Sequence, residues 1–283
     1  MTDTAIPVVE ANGANIPALG FGTWPMKGET CAQAVAEALR AGYRHIDTAE
    51  MYGNEEAVGE GLRASGVERH GIFVTTKIWH DHLKPDDARK AAEASLKRLG
   101  LDRVDLLLIH WPDNAMTAAE MLEGLCACRK AGLARHIGVS NFPTTLLDAA
   151  LDAAQKHGER LAANQVEHHP ELDQSKLLAA CRAHGLALVS YAPLGKGGLL
   201  EAPEITAVAE AHGRTPAQIV LRWHIQQKGV VAIPKSQTPE RIRANLAIGD
   251  FALSPEEMRA LHALARPDGR RIDPDWAPVW DVA

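Results

Sequence analysis

The chain has 283 residues, of which 46% are hydrophobic and 23% are charged, and its formal net charge is −6. This length suits one large α/β domain over residues 1–283, and the apolar content excludes a disordered protein. The acidic balance provides no basic face for nucleic acid. No apolar run in the sequence is long enough for a transmembrane helix, so we expect no contact with a membrane.

The cellular location is predicted from the start of the chain and from its cysteines. Residues 1–4 lack the basic and apolar stretches of a secretory signal. The cysteines at positions 31, 126, 128 and 181 form neither a CxxC pair nor a disulfide framework. Both observations favour a reducing, cytoplasmic setting.

The chain begins with a predicted hairpin and then alternates strand and helix patterns. Residues 6–16 predict a hairpin that turns at Asn12-Gly13 and plugs the bottom of a barrel. Residues 19–23 predict the first barrel strand, and a helix follows over about 30–41 and ends at Gly42.

The same alternation continues to the end of the chain. Asn54 is interpreted as the N-cap of a second helix, which runs to about Ser65, and Pro85 opens a third. Strands are predicted at 104–110, 135–139, 163–167, 187–191 and 230–233. Helices are predicted near 118–131, 144–157, 174–184 and 216–227. Eight strands with interleaved helices are typical of a (β/α)8 TIM barrel, an α/β fold of about 250 residues.

Three helix starts carry a hydroxyl residue followed by proline. Thr215, Thr238 and Ser254 are each interpreted as an N-cap before a proline at the first helical position. Gln218 and Glu257 complete the predicted capping boxes of the first and third of these helices.

The helix after Thr238 has a different charge pattern. Arg241 lies in its first turn, where a cation opposes the helix dipole, and Lys235 and Arg243 are close in sequence. This pattern predicts a bound phosphate, and the eighth βα loop is a frequent phosphate site in such barrels. A solvated basic helix face is the alternative that the residues alone leave open.

Four polar residues stand at or near the ends of successive apolar runs: Asp47, Tyr52, Lys77 and His110. In a parallel barrel, the C-terminal ends of the strands meet at one mouth, where active sites lie. We therefore expect these residues to converge on one pocket. A lysine beside a tyrosine lowers the pKa of the phenol, which makes a proton donor of it. The alternative is that they are ordinary polar residues at strand ends.

Several aromatic residues follow these positions. Trp24, Trp79 and Trp111, with Met51 and Phe142, are candidates for an apolar substrate wall, although core packing is the alternative for each tryptophan alone. The irregular, proline-rich segment 267–283 carries Trp276 and Trp280. It is predicted to lie across the barrel mouth as a short C-terminal tail.

No metal site is predicted. The histidine pairs of 80–82 and 168–169 lack the spacing of a zinc motif and a third ligand. The glycines at 20–22 do not complete a dinucleotide-binding fingerprint, and those at 195–198 do not form a Walker loop.

The motifs of the chain closely resemble those of the aldo-keto reductases over about residues 6–265, in the bacterial branch of 2,5-diketo-D-gluconate and methylglyoxal reductases. The matching motifs lie at 20–24, 42–49, 52–55, 76–79, 110–112, 138–142, 164–167, 191–195 and 233–236. The resemblance implies an eightfold barrel and NADPH-dependent reduction of an aldehyde or ketone. It implies a small-molecule carbonyl partner, such as a dicarbonyl, ketoacid or sugar, and a monomer.

The resemblance also implies roles for individual residues. Tyr52 is the general acid, Lys77 and Asp47 support it, and His110 orients the carbonyl. Ser140, Asn141 and Gln165 hold the nicotinamide amide, and Tyr191 stacks on its ring. The other implied NADP contacts are Thr23, Asp47, Pro193, Leu194, Gly195, Lys235, Ser236, Arg241 and Asn245, of which Lys235, Ser236 and Arg241 hold the 2′-phosphate. The substrate contacts that the resemblance implies are Trp24, Met51, Trp79, His110 and Trp111.

Two other functions remain open from the sequence. One is a cofactor-binding protein of the same fold that senses redox state or binds a partner with little turnover. The other is a barrel hydrolase or isomerase that uses the phosphate site for a phosphosugar. The four intact polar residues favour the reductase.

Overall fold

The computed structural model describes residues 6–195 and 198–281 of the chain. Residues 1–4, on which the signal-peptide prediction rests, and part of the segment 195–198 lie outside the described residues. A short antiparallel hairpin, β1 (Val8–Ala11) and β2 (Ala14–Pro17), comes first. Its turn is at Asn12 and Gly13, which both have positive φ, as predicted.

Eight parallel strands follow, and they pair in chain order. Leu19 bridges to Ala232, which brings the first and last strands together and makes the sheet a barrel. The strands are β3 (Phe21–Gly22), β4 (His45–Asp47), β5 (Phe73–Ile78), β6 (Val104–Ile109), β7 (Ala134–Ser140), β8 (Leu161–Glu167), β9 (Ala187–Tyr191) and β10 (Val230–Ala232). The predicted TIM barrel is confirmed, although β3 is shorter than expected.

Helices connect the strands. They are α1 (Gly28–Ala41), α2 (Glu55–Ala64), α3 (Pro85–Leu99), α4 (Ala118–Lys130), α5 (Thr144–Lys156), α6 (Ser175–Ala183), α7 (Pro203–His212), α8 (Pro216–Ile225), α9 (Pro239–Leu246) and α10 (Pro255–His262). The sequence reading missed α7. Among the described residues, no helix combines the length and apolarity that a bilayer crossing requires.

The apolar residues divide between two sides of the sheet because side chains alternate along a strand. In β6, Leu106 and Leu108 join the cluster inside the barrel, whereas Leu107 and Ile109 pack outward against the helices. Ile16 of the hairpin belongs to the inner cluster. The hairpin therefore plugs the N-terminal end of the barrel and leaves the opposite mouth for the polar residues.

Asn54 and Thr238 occupy the predicted N-cap positions of α2 and α9, but neither side chain makes a cap hydrogen bond. The Asn54 side chain does not cap α2, because its Oδ1 accepts from Thr48 and its Nδ2 donates to the carbonyls of Thr23 and Met26. Thr238 makes no side-chain cap of α9. The boxes at Thr215 and Ser254 are confirmed, each with the hydrogen bonds of both partners.

Candidate active site

A cleft of about 670 Å³ opens at the C-terminal mouth of the barrel. Asp47, Tyr52 and His110 line it, so three of the four predicted polar residues face one pocket. Asp47 ends β4, Tyr52 lies in a 3-10 turn over Glu50–Tyr52, and His110 directly follows β6. The parallel register of neighbouring strands explains why residues far apart in sequence meet here.

Lys77 of β5 lies beneath the pocket and connects these groups. Its Nζ is fully buried and lies 2.6 Å from Oδ1 of Asp47, 2.8 Å from the carbonyl oxygen of Thr48 and 3.4 Å from the hydroxyl of Tyr52. The other carboxylate oxygen of Asp47 accepts from Nε2 of Gln165 at 2.7 Å. The buried charges of Lys77 and Asp47 are thus both paired and hydrogen-bonded. This pairing is needed because an unpaired charge in the interior is strongly destabilising.

The pKa of Tyr52 differs from the predicted direction. Burial raises the pKa of Tyr52, and although the charge of Lys77 lowers it, burial outweighs that effect. For Lys77, burial alone would lower the pKa, but Asp47 and Tyr52 together raise it, so the ammonium stays charged. Tyr52 is therefore a neutral phenol beside the charged ammonium of Lys77. A neutral phenol still carries its proton, so Tyr52 is in the protonation state that a proton donor needs.

His110 is held as a neutral imidazole. Burial, with the nearby Lys77 and His80, keeps the pKa of His110 well below its ordinary value. Its Nδ1 is buried and has no hydrogen-bond partner among the described residues. The ring packs edge-on against Tyr52, with 5.5 Å between ring centroids. A neutral ring N–H next to the phenol can donate a hydrogen bond to a carbonyl oxygen.

The predicted nicotinamide contacts lie together on one wall of the cleft. Asn141, Gln165 and Tyr191 line it. The hydroxyl of Tyr191 donates to Oδ1 of Asn141 at 2.8 Å, and Nδ2 of Asn141 donates to the carbonyl of His110 at 3.0 Å. Ser140 lies behind this wall, where its Oγ donates to the carbonyl of Gln165. The Tyr191 ring can stack on a flat ring of a ligand, and the side-chain amides of Asn141 and Gln165 can bind an amide group that the ligand ring carries.

Next to this wall, the backbone at Gly22 approaches the backbone of Ile233 closely. A side chain at Gly22 would place its Cβ 2.8 Å from the carbonyl oxygen of Ile233, so the wall tolerates only glycine there. Pro193, Leu194 and Gly195 continue the lining after Tyr191, and Thr23 continues it after Gly22. These positions leave an extended channel from the polar residues toward Lys235.

The basic cluster at the far end is smaller than predicted. Lys235, which lines the cleft, and Arg241 are both exposed, and neither forms an ion pair within the described part of the chain. Ser236 is buried, and its Oγ accepts from the backbone N–H of Thr238 at 3.1 Å. Arg243 does not belong to the cluster, because its guanidinium pairs with Glu37 of α1. Asn245 is buried in the second turn of α9.

Aromatic side chains surround the outer part of the mouth. Trp24 is 49% exposed and its ring lies 5.1 Å from that of Tyr52, and Met51 is also exposed. Trp111 is buried, and Trp79 packs 5.1 Å from His110 without lining the cleft itself. The predicted wall is therefore present in part: Trp24, Met51 and Trp111 line the cleft, with Trp24 and Met51 at its open edge. Phe142 is fully buried in the core cluster, where it does not reach the mouth.

The C-terminal segment crosses the mouth, as predicted. Ile272 lines the cleft, and Trp276 packs 6.0 Å from Trp79 and 5.1 Å from Trp111. Trp280 lies 6.0 Å from Trp111 and donates from Nε1 to Asp273.

Several site residues were not predicted. Pro25, Ala192, Ile233, Pro234 and Ile272 line the cleft, and no chemical signal in these apolar residues marks them. The one available signal was position: Ala192, Ile233 and Pro234 lie within the matching motifs at 191–195 and 233–236, and Pro25 follows the motif at 20–24.

Three histidines of the two pairs have protein hydrogen-bond partners: His82, His168 and His169. His168 Nδ1 lies 2.9 Å from Oγ of Ser190, and His169 Nε2 lies 3.0 Å from Oε1 of Glu167. His82 Nδ1 lies 2.9 Å from Oε1 of Glu50. Within residues 6–195 and 198–281, no three metal-ligating side chains converge.

Comparison with known proteins agrees with this geometry. The aldo/keto reductase family model matches residues 18–266. An aldo-keto reductase from Mycolicibacterium vanbaalenii is 45% identical over 273 residues, which cover 96% of each chain. A crystal structure named as a candidate 2,5-diketo-D-gluconic acid reductase B is 45% identical, with a TM-score of 0.95 over 99% of both chains. The structure of a Bombyx mori aldo-keto reductase in complex with NADP is 36% identical, with a TM-score of 0.86 over 95% of both chains. The chain therefore belongs to the aldo/keto reductase family.

Proposed function

We propose that this protein is an NADPH-dependent reductase of small aldehydes and ketones, with Tyr52 as the general acid. The observation that carries the proposal is the chain of contacts from Asp47 through Lys77 to the Tyr52 hydroxyl, at 2.6 and 3.4 Å, on the wall of one cleft. A carbonyl oxygen placed between Tyr52 and His110 meets a proton donor and a hydrogen-bond donor together.

Each residue has a separate part in the proposed reaction. Tyr52 gives its phenolic proton to the oxygen that becomes the alcohol, and the ammonium of Lys77 stabilises the phenolate that remains. Asp47 fixes the position of the ammonium, and its contact with Gln165 fixes Asp47 in turn. His110 orients the carbonyl without taking up a proton itself, because its ring is neutral.

The residues of the cleft fit NADPH, the cofactor class of the Bombyx mori relative. NADPH, when bound, supplies the hydride for the carbonyl carbon. Tyr191, Asn141 and Gln165 would hold its nicotinamide, and the exposed cations Lys235 and Arg241 would hold its 2′-phosphate.

The first test is Tyr52→Phe. We expect kcat for the reduction of methylglyoxal to fall by about 10²–10⁴-fold, because general acid catalysis contributes that much. The dissociation constant of NADPH should stay near the wild-type value, since the hydroxyl is not among the proposed cofactor contacts. Stopped-flow absorbance of NADPH gives the rate, and fluorescence titration gives the dissociation constant. A variant that turns over at the wild-type rate excludes Tyr52 as the acid.

The substrate proposal is restricted to small carbonyl compounds such as dicarbonyls, ketoacids and sugars. The exposed apolar edge of Trp24 and Met51 supports an open pocket. A panel of such substrates with NADPH and NADH in parallel gives both the preferred class and the cofactor preference. Absence of turnover with the whole panel favours a binding or sensing role instead.

A further inference from the structure

We infer that Glu167 is a positioning residue that fastens the C-terminal segment to the rim of the barrel and thereby sets the outer wall of the substrate pocket. The inference rests on the proposed function, because it concerns which carbonyl compounds that pocket accepts. Glu167 ends β8 and belongs to none of the groups that act on the carbonyl.

The side chain of Glu167 is fully buried and makes three hydrogen bonds. Its Oε1 accepts from the backbone N–H of Arg271 at 2.8 Å and from Nε2 of His169 at 3.0 Å. Its Oε2 accepts from the backbone N–H of Ile272 at 2.9 Å. Both carboxylate oxygens therefore accept hydrogen bonds. Two of the three donors belong to the C-terminal segment, which has no regular secondary structure there. The register of the sheet pairs Glu167 with Tyr191, so the fastening point adjoins the pocket wall.

The fastened residues connect directly to the pocket. Ile272 lines the cleft, and the segment then continues to Trp276, which packs against Trp79 and Trp111. Further contacts hold the rest of the segment: Asn114 Nδ2 donates to the Trp276 carbonyl, and both Thr144 and Lys176 bind Asp281. Among these contacts, Glu167 is the one that binds Ile272, the residue of the segment that lines the cleft.

The charge of Glu167 is suited to this role. Burial alone would raise its pKa, but the hydrogen bonds from His169 and the two backbone amides outweigh burial and hold the pKa below its ordinary value. An ionised carboxylate accepts all three hydrogen bonds, whereas a protonated acid or an amide must present a donor to one of these N–H groups.

The test uses Glu167→Gln, with Glu171→Gln as the matched control. Glu171 binds the same segment through ion pairs with Arg266 and Arg271, but its carboxylate does not hold the two backbone amides. Both variants lose one negative charge by the same substitution, four positions apart. Thermal unfolding establishes that each variant is folded before the other measurements.

The direct readout is amide hydrogen exchange at Arg271 and Ile272. We expect exchange at these amides to accelerate by about tenfold or more in Glu167→Gln, the loss expected for hydrogen bonds to a charged group, and to change little in Glu171→Gln. Unchanged exchange in folded Glu167→Gln overturns the inference whatever the activity.

The functional readout compares an aryl aldehyde with methylglyoxal. The segment contacts the outer part of a large substrate, so in Glu167→Gln we expect KM for the aryl aldehyde to rise on the order of tenfold while kcat for methylglyoxal changes little. A parallel loss with both substrates contradicts the inference.

Ile272→Ala provides an independent route if Glu167→Gln does not fold. It should raise KM for the aryl aldehyde while leaving the amides protected, because the carboxylate contacts remain. Unchanged KM in this variant counts against the inference. If the wild-type protein reduces neither substrate, the proposed function fails, and the exchange experiment still decides the role of Glu167.

Discussion

Asp47 and Lys77 form a buried ion pair, and neither side chain is more than about 2% exposed. Such a pair depends on both partners, because removing one leaves an uncompensated charge in the interior. Here the pair is further satisfied by Gln165 and by the Thr48 carbonyl. The same contacts that place Lys77 beside Tyr52 therefore contribute to stability as well as to chemistry.

Replacing Lys77 with Met should lower the free energy of unfolding by about 3–5 kcal/mol, because Asp47 loses its buried cationic partner. The double variant with Asp47→Asn should recover part of that loss, since the buried negative charge is removed too. Urea unfolding measures both. If the double variant is no more stable than Lys77→Met, the loss comes from packing rather than from charge.

At the scale of elements, Gln218 connects α8 to α9. Its Oε1 accepts from the Thr215 backbone N–H in the capping box, and its Nε2 donates to the carbonyls of Ala244 and Ala247 at the end of α9. One side chain thus caps the start of one helix and the end of the next. Because α9 carries Arg241 and Asn245, this contact also orients the proposed 2′-phosphate site.

Gln218→Ala should destabilise the protein by about 2 kcal/mol or more, since it removes the capping box and takes the side-chain donor from the Ala247 carbonyl at the end of α9. Glu120→Ala is the control, because Glu120 completes an exposed capping box at Thr117 without a second helix. It should cost only about 1 kcal/mol. Equal losses in urea unfolding would show that the link between the two helices contributes nothing.

The whole molecule keeps several histidines neutral in its interior. Burial lowers the pKa of His45 to about 4 and that of His224 to about 3. It also lowers the pKa of His110 and His168 well below the ordinary value. In the unfolded chain these groups bind protons near pH 6.5, whereas in the folded chain they do not. The unfolded state therefore takes up more protons as the pH falls.

The free energy of unfolding should consequently decrease as the pH falls below about 6.5, by about 1.4 kcal/mol per pH unit for each buried histidine that stays neutral. His224→Gln keeps a donor for the Pro193 carbonyl and should reduce this slope by the contribution of one proton. Urea unfolding at a series of pH values gives both slopes. If the free energy of unfolding depends on pH equally in the variant and the wild type, His224 does not contribute to the acid sensitivity.

Most of the fold was predictable from the sequence because its signals are local. Three signals that were predicted correctly are the Asn12-Gly13 turn, Gly42 after α1 and Pro85 at the start of α3. Each one sets the backbone conformation only within a few residues of its own position. Asn54 and Thr238 occupy the predicted N-cap positions, but neither side chain makes the cap hydrogen bond. The Asn54 side chain binds Thr48, Thr23 and Met26 instead, which only the fold brings near it. The helix α7 was missed although Pro203 opens it and Gly213 follows it, because no side chain caps its start.

The sequence by itself determined the barrel, the order of its elements and the convergence of Asp47, Tyr52 and His110 on one mouth, because parallel strands carry their C-terminal residues to the same end. Only the tertiary structure decided the balance that raises the pKa of Tyr52, since burial depends on every neighbouring element. It also decided the contacts of Gln165 with Asp47 and of Glu167 with Ile272, which join residues more than a hundred positions apart. A local sequence pattern cannot predict contacts between residues so far apart in the chain. These contacts form because the barrel closes and the C-terminal segment packs across its mouth.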